Sequence, residues 1–200
     1  MKRLLLTLAL AALLVGAADA VTVVDTLPAN NQANLTAEAG QTFTTSSLGG
    51  ATTLASIEIE GPQGPANNMI LTYALALYAD GDQDHATWDP GALLGTSQLD
   101  TVVVGGATLT SFNFSGVSLA DNTVYAFKYV DTGGSAVNFA RMGLTNANAI
   151  SDGTLFSAGG QVFGDAFDTA MRITTVPEPG SLAAFGLGVL AMFVRRGRRS

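Results

Sequence analysis

The densest run of chemistry-bearing side chains is Asp80-Gly81-Asp82-Gln83-Asp84-His85, with Trp88 and Asp89 close behind. Carboxylates at alternate positions of a turn suit a hard cation such as calcium, which takes several oxygen ligands converging from one stretch of chain. An EF-hand loop would continue with glycine at its sixth position and glutamate at its twelfth. This chain has His85 and Gly91 there, so it is not an EF-hand. Two readings stand side by side. Asp80, Asp82, Asp84 and Asp89 are candidate ligands of a structural calcium in a sandwich loop, or they form a solvated turn, where Asp and Gly are the expected residues. Trp88, the single tryptophan, also has two readings. Exposed, it could stack on a sugar ring of an extracellular polysaccharide; buried, it would serve as packing area.

Catalytic constellations are harder to assemble. His85 is the only histidine and there is no cysteine. That removes a multi-histidine zinc site, a thiolate metal site, a cysteine nucleophile and a disulfide framework together. A Ser-His-Asp triad would have to use His85, yet no Gly-x-Ser-x-Gly elbow occurs. Glycoside hydrolysis asks for two carboxylates facing each other in a cleft, and no pair of acids here is singled out by an apolar setting. We expect a protein that is not an enzyme and has no resident cofactor beyond that candidate calcium. A glycoside hydrolase is the least favoured alternative.

Charge narrows the partners. The 200 residues carry a formal charge of −7, with charged residues at only 12%. From Val21 to Val176, however, only Lys128, Arg141 and Arg172 stand against fourteen Asp and Glu, a formal charge of −11. Phosphate binding relies on clustered Lys and Arg, so nucleic acid is excluded as a partner.

The remaining basic residues are at the ends. Lys2 and Arg3 precede an apolar stretch from Leu4 to Val15, and Ala18-Asp19-Ala20 gives a small-x-small cleavage site. This is the tripartite form of a secretory signal, which implies the Sec machinery, signal peptidase and cleavage after Ala20. At the other end Val176-Pro177-Glu178-Pro179-Gly180 leads into an uncharged run, Ser181 to Val194, then Arg195-Arg196-Gly197-Arg198-Arg199-Ser200. Each proline lacks an N–H and has a fixed φ, so the pair is expected to stop the last strand and act as a hinge. The apolar run reads as a short helix in the inner membrane, its arginines cytoplasmic by the positive-inside rule. Its fourteen residues span about 21 Å as a helix, against about 30 Å of hydrocarbon. Such a segment suits transient residence better than permanent anchoring.

Together, Pro177-Glu178-Pro179, the short apolar helix and the cluster Arg195, Arg196, Arg198 and Arg199 resemble the PEP-CTERM sorting domain. The resemblance covers roughly the last 25 residues. It implies a bacterial protein whose tail is recognised by exosortase, an integral membrane transpeptidase-like cysteine protease, and removed near the Pro-Glu-Pro box on the way to the cell surface. The tail residues would then be recognised rather than catalytic.

What must position these features is a β fold. Short segments of alternating character are separated by Gly, Asn, Asp and Pro. Phe112 and Phe114 oppose Ser111 and Asn113; Tyr125, Phe127 and Tyr129 oppose Ala126 and Lys128; Ile57 and Ile59 alternate with Glu58 and Glu60. That period of two fits strands with one face on a core and one in water. Strands are expected at 41–47, 53–60, 69–78, 99–104, 109–114, 123–130, 136–142, 161–163 and 170–175. The expected architecture is an all-β, antiparallel, jelly-roll-like β-sandwich. Gln41-Thr42-Phe43-Thr44, Leu77-Tyr78-Ala79-Asp80, Gly91-Ala92-Leu93-Leu94-Gly95-Thr96 and Phe112-Asn113-Phe114-Ser115-Gly116-Val117 follow one another in an order similar to many PEP-CTERM ectodomains. Those look like carbohydrate-binding-module sandwiches.

The expected organisation is a signal peptide (1–20), an irregular mature N-terminus (21–40), a sandwich ectodomain (41–175) and a sorting tail (176–200). The expected role is that of an exported surface or extracellular-matrix protein with a structural or adhesive module, the inner membrane holding the precursor transiently. A carbohydrate-binding module is the alternative.

Overall fold

The computed structural model describes residues 20–36, 39–45, 48, 52–61, 69–80, 90–98, 100–104, 108–131, 139–146, 149–150, 153–157, 160–161 and 166–177. Among these the chain is nearly all strand, with no α-helix. The strands are β1 (Val21–Asp25), β2 (Asn31–Thr36), β3 (Gly40–Thr44), β4 (Thr52–Glu60), β5 (Met69–Asp80), β6 (Pro90–Thr96), β7 (Asp100–Val104), β8 (Leu109–Asn113) and β9 (Ser118–Leu119). There follow β10 (Val124–Asp131), β11 (Phe139–Asn146), β12 (Leu155–Ser157), β13 (Gly160–Gln161), β14 (Phe167–Thr169) and β15 (Met171–Pro177).

They form three antiparallel sheets. The first runs β1-β15-β4-β8, with β9 also on β4; the second runs β13-β12-β3-β10-β5-β6, with β7 also on β5; the third is β14-β11-β2. Count β1, β3, β4, β5, β6/β7, β8/β9, β10 and β15 as eight principal strands. The first sheet then holds strands one, eight, three and six, and the second holds two, seven, four and five. This alternation between two facing sheets is the double Greek key of a jelly roll.

The core lies between those two sheets. Leu54, Ile57, Ile59, Phe112 and Ile173 from the first face Phe43, Leu75, Leu77, Phe127 and Tyr129 from the second, all buried. Phe112 meets Tyr129 edge-on at 5.8 Å between centroids, and Tyr73 meets Tyr129 at 5.2 Å. Edge-to-face contact is the arrangement the aromatic quadrupole favours. The expected inward set at Phe112, Phe114, Tyr125, Phe127 and Tyr129 is thus the observed one.

Several expectations change. Residues 21–36, expected to be irregular, include β1 and β2. Val21-Thr22-Val23-Val24 is a β-branched run that packs well on a pleated surface, and it finds β15 as its partner. Glu60, expected to face water, is buried; its carboxylate accepts the Ala29 N–H at 2.7 Å, the compensation that burial of a charge requires. On the second sheet Ala74, Ala76 and Ala126 alternate with core residues yet are buried as well, so its centre is out of water on both faces. The strands β6, β9, β12 and β14 have no counterpart among the expected ones. Their exposure or brevity leaves no sustained alternation to read.

A buried polar knot joins the third sheet to the second. Gln41 on β3 donates through Nε2 to Asp168 Oδ1 and accepts the Thr169 N–H at 2.7 Å, while Ile150 N–H donates to Asp168 Oδ2 at 2.9 Å. These bonds tie Asp168 and Thr169 of β14 to Gln41 of β3 and to Ile150.

Candidate processing site

Where the last strand leaves the domain, two lines of sequence meet. β1 lies against β15 with Val21 opposite Thr175, Thr22 opposite Thr174, Val24 opposite Ile173 and Asp25 opposite Arg172. The register shifts between Thr22 and Val24, a bulge at Val23. Ala20, the residue before the strand, is exposed. The far end of β1 is pinned by Thr26: its hydroxyl accepts the Met171 N–H at 2.8 Å and donates to Thr169 O at 2.7 Å. Arg172 reaches sideways to both neighbours, to Asp25 at 3.1 Å and Glu58 at 3.6 Å.

On its other side β15 pairs with β4 for longer. Thr175 lies opposite Leu54, Val176 opposite Thr53 and Pro177 opposite Thr52. Thr175 is therefore held between two strands and fully buried, whereas Val176 and Pro177 lie past Val21, the last partner from β1. The strand, expected over 170–175, runs two residues further and stops at Pro177. This proline has a strand on one side only, and a sheet edge is where a missing N–H is tolerated. Opposite it, Thr52 is buried and its hydroxyl has no hydrogen-bond partner among the described residues.

The other sequence candidates are placed only in part. Asp80 ends β5 and pairs with Pro90 at the start of β6. Asp82, Asp84, His85, Trp88 and Asp89 lie outside the described residues. No group of three or more metal-ligating side chains occurs among the described residues. Ala18, Glu178, Pro179, Arg195, Arg196, Arg198 and Arg199 also lie outside them, and no described helix is long and apolar enough to cross a membrane. The role of β1 at this site is not visible in the sequence, because Val21 and Thr175 are 154 residues apart.

Comparison with known proteins bears on the same place. Residues 175–199 match the PEP-CTERM protein-sorting motif. The match begins inside β15, at the residue opposite Val21. No curated protein matches the chain. An all-β antiparallel domain thus carries a match to the PEP-CTERM motif that begins on its last described strand. The motif implies export, a C-terminal membrane-anchored sorting tail and exosortase as processing partner.

Proposed function

We propose that this is an exported surface or extracellular-matrix protein whose sandwich is a non-catalytic structural or adhesive module, delivered by exosortase processing of its tail. The observation that carries the reading is the sorting motif running directly out of a folded strand. Support for the adhesive part comes from the outer face of the first sheet. Thr22, Thr174, Ser56 and Asn113 align in one row, and Asp25, Arg172, Glu58 and Ser111 in another. This strip offers hydroxyls, an amide and two carboxylates around one guanidinium, suited to broad, weak contact with polymer. The test is intact mass of the protein from its own cell surface. A species starting at Val21 and ending near Pro177 supports the reading; one retaining Arg195 to Ser200 refutes the sorting step. Recovery of the mature species only from the medium, with none on cells or in matrix, would refute the proposed location.

A further inference from the structure

The pairing of β1 with β15 places the first residues after the expected signal cleavage site against the residues where the sorting motif begins. We infer that β1 is a clamp on the tail strand, and that it confines tail cleavage to Val176–Gly180. This inference rests on the exosortase reading above.

The boundary on the domain side is physical. A protease binds its substrate as an extended chain, with several residues clear of other partners. From Arg172 to Thr175 the strand β15 has a neighbour on both sides, and freeing this stretch means breaking two ladders. Beyond Thr175, β4 is the only paired neighbour among the described residues. Pro177 donates no ladder bond, and the Thr52 hydroxyl opposite it is buried without a partner among the described residues. Peeling Val176 and Pro177 off β4 breaks one ladder, with Thr53 and Thr52, instead of two. The strand end is therefore primed to open by two residues and no further.

On the membrane side the boundary is the apolar run that starts at Ser181. Five residues, Val176 to Gly180, separate it from the clamp, spanning at most about 17 Å when extended. The membrane enzyme must therefore work close against this end of the sandwich. The cut breaks one peptide C–N bond in the window. The acyl carbon passes through the enzyme thiol to water or an amine acceptor, and the departing tail keeps the nitrogen, with a proton from the nucleophile.

Two measurements test this. Intact mass of the mature protein from producing cells should place its C-terminus within Val176–Gly180; an end at Thr175 or upstream overturns the clamp. Hydrogen exchange on full-length precursor from cells lacking exosortase judges the clamp independently of sorting. The Val176 amide should exchange at least about tenfold faster than Thr174 and Thr175; equal protection overturns the proposal. If the wild-type protein keeps Arg195 to Ser200, the sorting reading has failed, and the exchange data still decide the clamp.

Discussion

Val21 and Thr175 face each other at the last shared position of β1 and β15, so the start of β1 lies beside the residue where the sorting motif begins. Antiparallel neighbours sit about 4.8 Å apart. The first and last described strands therefore leave the sandwich at one point.

The orphaned hydroxyl of Thr52 yields a stability prediction separate from processing. It is buried opposite Pro177 with no partner among the described residues. Leaving a buried polar group unmatched costs about 1–3 kcal/mol. Thr52→Val should therefore raise stability, by about 1 kcal/mol, read as a higher urea midpoint at unchanged slope. A lower midpoint would show that the hydroxyl is satisfied.

Arg172 bridges three strands on the surface, with Asp25 at 3.1 Å and Glu58 at 3.6 Å. Its side chain is 38% exposed, so water screens much of the attraction. Arg172→Ala should cost about 0.5–1 kcal/mol in low salt, and less in about 1 M salt, where the Debye length falls to about 3 Å. Urea melts at two salt concentrations check both magnitude and trend. A loss that grows with salt contradicts the ion-pair account.

Gly40 lies where β3 meets β10, opposite Lys128. A Cβ there would collide with the Phe127 carbonyl oxygen and come 2.6 Å from Phe156 Cζ. The backbone oxygen belongs to the adjoining strand and cannot move without breaking the ladder. Gly40→Ala should cost about 3 kcal/mol, at the upper end of overpacking penalties. Leu93→Ala on the exposed β6 should stay within about 0.5 kcal/mol. Melting the two variants side by side tests the contrast.

How much of this was legible in the chain depended on whether the signal was local. The alternation around Phe112 and Phe127 revealed strands because one face of each meets the core. Pro90–Thr96 showed no alternation because it is an edge strand, with Leu93 and Leu94 both exposed. Glu60 looked like a solvent residue until Ala29 gave its carboxylate a buried donor. The tail itself was readable, since its box, apolar run and arginines are consecutive. Its clamp was not: β1 pairs across nearly the whole chain, and nothing near Val21 names Thr175.

A final prediction concerns pH. Burial pushes the Tyr129 phenol far above its ordinary value of 10.0, and the neighbouring Tyr73 adds to the rise. In the fold this phenol stays protonated at pH values where the unfolded chain has lost the proton. Above pH about 10 the unfolded state thus binds fewer protons than the native one, and stability falls as pH rises; below that value the group contributes no slope. One such phenol gives about 1.4 kcal/mol per pH unit. Urea midpoints should be flat for this group up to about pH 9 and decline by about pH 11, and Tyr129→Phe should lose one phenol's worth of that decline. If the variant keeps the full alkaline slope of the wild type, the instability arises elsewhere in the core.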